Sequence, residues 1–276
     1  MTTIALPTSF APSRSVADTA LRGAARFWFV VAVAGQWMFA WYVAMAYGRP
    51  AISGHLAGWN QHGSHRYVPG DLVGNLAIGI HLLLAVIVSI GGPLQLIPGL
   101  RRFAPRFHRW NGRAYLIAVV LTSIAALYLV WVRGTVGDLP QHLGVTLDAV
   151  LILIFAVLAV RYAIARDLRT HRRWALRLFI AVNGVWFFRV GMMLWLVLNH
   201  GPAGFDPKTF TGPFLTIWSF GNYLLPLAIL EVYLRTGDRS GPRGKLAMAS
   251  GLAVATVAMG AGIVLATMVM WLPRIK

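Results

Sequence analysis

The 276-residue chain contains no cysteine, which removes disulfides, thiolate metal ligands, covalently attached c-type haem and cysteine nucleophiles together. Acid is almost as scarce. Eight Asp and Glu stand against 25 Lys and Arg, for a formal net charge of +17. Charged residues of both signs make up only 12% of the chain, too few to cover a water-soluble domain of this size. The basic residues punctuate apolar stretches and form no aromatic-interleaved patch, which argues against nucleic acid as a partner. Strand-like alternation is not sustained, which argues against a β-barrel. There is also no glycine-rich phosphate loop, nucleophile elbow, carboxylate pair or metalloprotease helix.

What the chain has in abundance is apolar sequence: 58% of it is hydrophobic, and its mean hydropathy is +0.65. Seven long apolar stretches cover roughly 27–47, 75–99, 111–132, 142–161, 176–199, 212–234 and 247–271, each long enough for the hydrocarbon core of a bilayer. Gly, Pro and Asn separate them, as in Tyr47-Gly48-Arg49-Pro50 and Gly201-Pro202-Ala203-Gly204. The expected fold is an all-α, polytopic integral membrane bundle of about seven helices. Spans two to five form its core. Residues 1–26 read as a cytoplasmic amino-terminal segment without a clean signal-peptide core, 27–272 as one transmembrane domain, and 273–276 as a short tail.

Orientation follows from the basic residues. Eighteen of the 25 Lys and Arg, from Arg14 to Lys245, fall on one face; six (Arg49, Arg66, Arg133, Lys208, Arg274 and Lys276) fall on the other, and Arg189 is intramembrane. The bias predicts a multi-pass protein of the bacterial inner (plasma) membrane, with a cytoplasmic amino terminus and an external carboxyl terminus.

The histidines form two pairs. His81 precedes Arg101 by twenty residues and His142 precedes Arg161 by nineteen, so level arginines predict level imidazoles near the outer face. Small residues follow them, Ala85, Ser89 and Gly92 below His81, Thr146 and Ala149 below His142. Such residues leave room for a flat macrocycle between helices and equally serve close helix packing. His108 and His171 each stand just ahead of a span on the inner side, inside the similar runs His108-Arg109-Trp110-Asn111-Gly112-Arg113 and His171-Arg172-Arg173-Trp174. Neutral imidazoles are good haem ligands. The neighbouring Arg109, Arg113, Arg172 and Arg173 offer forked donors to an anion or a lipid headgroup, and Trp110 and Trp174 suit the aromatic belt. His55, His62 and His65 lie in the outer loop near Trp59 and Tyr67. They have the chemistry of a Zn or Cu site but no fixed ligand spacing.

Two charges fall inside spans, Asp148 and Arg189. An intramembrane ion pair between them is the expected arrangement. The functional alternatives make Asp148 a proton acceptor and Arg189 a clamp for a haem propionate or an anionic substrate. Asn183, Asn222 and Gln95 are further intramembrane polar groups, expected to bond across helices.

The segment from His81 through Gly91-Gly92-Pro93-Leu94-Gln95, Arg101-Arg102 and His108-Arg109-Trp110-Asn111-Gly112-Arg113, together with His171-Arg172-Arg173-Trp174-Ala175-Leu176-Arg177, resembles a bacterial membrane family catalogued as domain of unknown function 2306. The resemblance covers roughly residues 75–235 and implies a multi-span membrane protein with no assigned activity. A looser likeness is to b561-type cytochromes. It implies two b-type haems held by histidines from alternate helices: His81 with His142, and His108 with His171.

Two functions follow as expectations. The first is b-haem binding with electron transfer toward or across the membrane, for which a redox partner or a quinone would be needed. The second is a non-redox protein that handles a small molecule or lipid, with Asp148 and Arg189 lining its cavity; a structural subunit of a membrane complex is a variant of it. Outside the redox case the lipid bilayer is the one partner expected.

Overall fold

The computed structural model describes residues 15–62, 66–134 and 137–275. Arg14, His65 and Lys276 therefore lie outside the described residues. Every element is helical: α1 (Val16–Val43), continued by a π-helical turn Ala44–Gly48 into α2 (Arg49–Ile52); α3 (Leu72–Leu96); the short α4 (Pro98–Phe103); α5 (Pro105–Trp131); α6 (Leu139–Ile164); α7 (Leu168–Val182); α8 (Gly184–Leu198); α9 (Pro213–Arg239); and α10 (Pro242–Leu265), which ends in a second π turn, Ala266–Trp271. Among the described residues six helices are long and apolar enough to cross a membrane, and seven if α7 and α8 count as one span bent by 52°. The all-α polytopic bundle expected from the sequence is the fold observed.

Short polar side chains set where helices begin. Ser15 accepts a hydrogen bond from the Asp18 N–H at 3.1 Å and starts α1 well before residue 27, so residues 16–26 of the amino-terminal segment are helical. Asp71, Asp138 and Asp167 do the same for α3, α6 and α7, accepting from Gly74, Gln141 and Thr170. Hydrogen bonds from Thr170 hold the Asp167 carboxyl below the usual carboxylate range.

The helices pack as a ring. α1 lies between α3 and α10; α5 lies between α3 and α6; α7 and α9 pack on α6, and α8 packs on α9 and α10. The chain alternates direction, so one end of the bundle collects the arginines of the α4–α5, α6–α7 and α9–α10 connections. The other end carries Arg66 and Arg133.

The motif of the family resemblance joins α3 to α5. The Asn111 side-chain amide donates to the Gly91 carbonyl at 3.0 Å, and Gln95 donates to the His108 carbonyl at 3.1 Å. The glycines permit this approach: a Cβ on Gly92 would lie 3.0 Å from the Tyr115 ring, and one on Gly112 would lie 3.2 Å from Gln95 Oε1. At the opposite end Arg133, only 8% exposed, closes the same helix pair. It contacts Asp71 at 3.3 Å and donates to the Gly74 carbonyl at 2.7 Å and Asn75 Oδ1 at 3.0 Å. Between α7 and α9, Arg177 grips Glu231 through two hydrogen bonds of 2.6 and 2.9 Å, and Arg173 and Arg169 hold Asp238.

Arg133→Ala removes an ion pair and two charge-assisted hydrogen bonds from a buried position, a loss of about 2–3 kcal/mol. The apparent unfolding midpoint in detergent should fall by roughly 5–10 °C. Arg113→Ala, at an exposed residue whose guanidinium rests 5.1 Å above the Trp110 ring, should change it little. Equal midpoints for the two variants would contradict the role given to Arg133.

Candidate functional site

α1, α3, α5, α6 and the α7–α8 pair enclose a cavity of about 130 Å³. Its polar lining comes from every one of them: Tyr42 and Tyr47 on α1 and its π turn; His81 and Ser89 on α3; Thr122 and Ser123 on α5; Asp148 on α6; Asn183 at the helix break and Arg189 on α8; and Arg66 from the connection before α3. Apolar residues, among them Val88, Val119, Ala149 and Ile152, complete the wall. π-helical turns recur at functional positions, and the one after α1 delivers Tyr47 to this cavity while the Trp59 indole satisfies the Tyr47 carbonyl at 2.9 Å.

The break between α7 and α8 falls at Asn183–Gly184. The Asn183 side chain folds back to donate to the Phe179 carbonyl at 2.7 Å, satisfying one group of the interrupted helix. The glycine next to it lets Asp148 approach, since a Cβ at position 184 would sit 2.6 Å from Asp148 Oδ2. Asp148 therefore rests against the start of α8, where the helix dipole favours negative charge. Its other oxygen, Oδ1, is buried with no hydrogen-bond partner among the described residues.

Arg189 also lines the cavity, but no ion pair joins it to Asp148; among the described residues no carboxylate lies within 4.0 Å of its guanidinium. This corrects the pairing expected from the sequence. The reason is helical geometry. With Gly184 facing α6, five further residues turn the chain about 140° past a whole turn, toward α1. There Arg189 donates to its own Val185 carbonyl at 3.0 Å and lies 5.3 Å above the Phe39 ring. Arg66 and Arg274, both of its own sign, act on it electrostatically. Arg66 in turn sits 5.4 Å over the Tyr47 ring.

His81 is in the cavity wall, with Nδ1 3.3 Å from the Thr122 carbonyl. A carbonyl can only accept, so Nδ1 carries the proton and Nε2 keeps its lone pair. His142 is elsewhere. Its ring meets the Trp131 ring edge-on at 5.5 Å, and the Trp131 indole donates to Thr146 at 2.8 Å. Thr122 and Trp131 are nine residues apart on α5, about 14 Å along the axis. The two imidazoles are thus not level, and α5 lies between their helices. They cannot share one iron, and the outer haem expected from their spacing does not fit. Equal counts to the next arginine misled because Arg101 lies beyond the end of α3, on α4, whereas Arg161 lies within α6.

The inner histidines are closer partners. His171 Nδ1 donates to the Ala159 carbonyl at 2.8 Å, His108 Nδ1 is buried without a hydrogen bond, and the two rings interact electrostatically. Their flanking arginines divide. Arg109, Arg113 and Arg172 are exposed at the arginine-rich end, as headgroup contacts require, whereas Arg173 is taken up by Asp238. In the loop, His55 lies 3.3 Å from the Ser53 hydroxyl.

Sequence reasoning missed Arg66, Tyr42, Tyr47 and Thr122. Arg66 had served only as a topology marker, and Tyr47-Gly48 only as punctuation. The signal for the break was present, as an Asn-Gly pair in the middle of an apolar span.

Fold and site together define a polytopic helical membrane protein with a charged cavity inside its bundle. Residues 78–212 match the family model described as predicted membrane protein (DUF2306), which covers most of α3 and all of α5 to α8. The likeness to b561-type cytochromes is not confirmed. No curated protein and no solved structure matches the chain.

With no native cysteine, an Ala126→Cys variant places a single thiol in the cavity lining. Arg66 and Arg189 outweigh Asp148 there. An anionic methanethiosulfonate should react roughly tenfold faster than a cationic one, each normalised to a free thiol. Equal rates, or a cationic preference, would show that the arginines do not set the potential.

Proposed function

We propose that this protein is a non-redox membrane protein that binds a small polar organic molecule in the intramembrane cavity, with Arg189 clamping an anionic group of the ligand. One observation carries the reading: a guanidinium inside the bundle without a carboxylate beside it. Buried charge is costly unless it is paired, and a ligand anion supplies the missing partner. The planar fork of arginine suits a carboxylate in particular. The cavity volume of about 130 Å³ matches a guest near benzene in size, since a cavity of about 150 Å³ takes benzene. It is far below the few hundred Å³ and more typical of drug-sized sites, and a macrocycle or a phospholipid exceeds it.

The positive-inside rule supports an inner-membrane orientation with the arginine-rich end in the cytoplasm, so the Arg66 end, where Tyr47 and Arg66 stand at the cavity, faces outward. Arg66 and Arg274 then draw anions toward Arg189 from that side.

Propionate is the test probe. Binding to the full chain in nanodiscs should be measurable by calorimetry, and Arg189→Gln should weaken it by about 10- to 100-fold, the range of one charge-assisted contact. Arg113→Ala should leave it unchanged. Saturable binding that survives Arg189→Gln, or none in the native chain, would overturn the assignment.

A further inference from the structure

Resting on that reading, we infer that the ligand is a small zwitterion of the amino-acid type, its carboxylate on Arg189 and its ammonium on Asp148. The cavity holds a carboxyl group and a guanidinium that make no ion pair with each other. Arg189 is turned toward α1, where its one hydrogen bond is to its own helix. Asp148 reaches the same cavity from α6, with Oδ1 buried and unpartnered.

The other seven Asp and Glu side chains are all engaged away from Arg189 among the described residues. Asp18 pairs with Lys245; Asp71 with Arg133; Glu231 with Arg177; Asp238 with Arg169 and Arg173; Asp138 and Asp167 cap helices; and Asp206 accepts from the Lys208 N–H. Likewise none of the five ion pairs supplies a cation to Asp148.

Three classes of small ligand can be weighed against this wall. A simple carboxylate neutralises Arg189 but brings a second negative charge into a small, low-dielectric space shared with Asp148. A simple amine does the reverse. A zwitterion supplies both counter-charges and adds no net charge, so neither buried group is left uncompensated. The remaining lining suits it too. Thr122 Oγ1 and the Trp186 indole N–H are buried in the wall without hydrogen-bond partners among the described residues, and His81 Nε2 adds an acceptor. An ammonium needs acceptors beyond one carboxylate oxygen, and a carboxylate needs donors beyond one guanidinium. The volume of about 130 Å³ limits the guest to a short backbone, and the apolar wall of Val88, Ala149 and Ile152 favours few further polar groups.

The test compares three probes of similar size, β-alanine, propionate and propylamine, on the full chain in nanodiscs at neutral pH. β-Alanine should bind at least tenfold tighter than propionate, and propylamine weakest. Asp148→Asn, nearly isosteric, should reduce β-alanine to the affinity of propionate while leaving propionate binding equal or tighter. Because the comparison among probes is made on the unmodified protein, it stands even where a variant fails to fold. If propionate binds as well as β-alanine, or Asp148→Asn affects the two alike, the zwitterion assignment falls and the anion clamp survives. If neither binds, or propylamine binds tightest, both fall.

Discussion

Carboxylates are the limiting component of this bundle, and their placement decides both its packing and its site. With 25 basic side chains and eight acidic ones, most arginines must stay at the water interface. Each acid is then worth more as a structural device than as surface charge. Asp71 caps α3 and receives Arg133 from the end of α5, so one residue fixes a helix start and a helix pair. Asp238 and Glu231 tie α9 to α7 at the arginine-rich end, and Asp18 ties α1 to α10. Asp148 is the exception. It makes no ion pair among the described residues, and it stands inside the apolar belt, where an ionisable residue is a functional candidate.

The region that matches the family model supplies α3 and α5 to α8, and with them His81, Thr122, Asp148, Asn183 and Arg189. The paired glycine and amide contacts of Gly91, Gln95, Asn111 and Gly112 hold α3 against α5 at the end away from Arg66. Arg133 holds them at the other. Between these two clamps, small side chains on the pair (Ala85, Ser89, Ser123 and Ala126) line the cavity. α1 lies outside the matched region yet closes the cavity with Phe39, Tyr42 and Tyr47. The Phe39 ring under Arg189 is thus one of the contacts between the matched core and the rest of the chain.

The spans were legible in the sequence because hydropathy is local: each run of apolar residues carries its own evidence of length. The start of α1 was less so, since its first turns are polar and only the Ser15–Asp18 cap marks them. Relations between helices were legible only where a side chain names its own partner. The motif around Asn111 holds α3 against α5 through Asn111 and Gln95, but nothing in the sequence of that motif says which helix it meets. The His81–His142 match failed because a distance in residues to the next arginine is not a depth; the ends of the helices set that. The Asp148–Arg189 pair failed for a rotational reason. Two charges can share a cavity and still point from different sides of it, and that angle is fixed by which face of α8 meets α6. Gly184, without a side chain, fixes it.

The interrupted span makes the arrangement possible. In a bilayer an irregular stretch of backbone survives only where protein or a polar cavity satisfies it. Here the Asn183 side chain covers the Phe179 carbonyl, and Asp148 covers the start of α8. The bend of 52° lets α7 follow α6 while α8 leaves it for α9 and α10. An uninterrupted helix would keep its outer half against α6 and hold Arg189 away from Phe39. The break therefore sets Arg189 apart from Asp148 and places Asn183 in the cavity wall, as discontinuous helices do at binding sites in membrane proteins. An acid held at the break and a guanidinium about 1.4 turns beyond it thus line one cavity without an ion pair between them, the arrangement on which the proposed dipolar ligand rests.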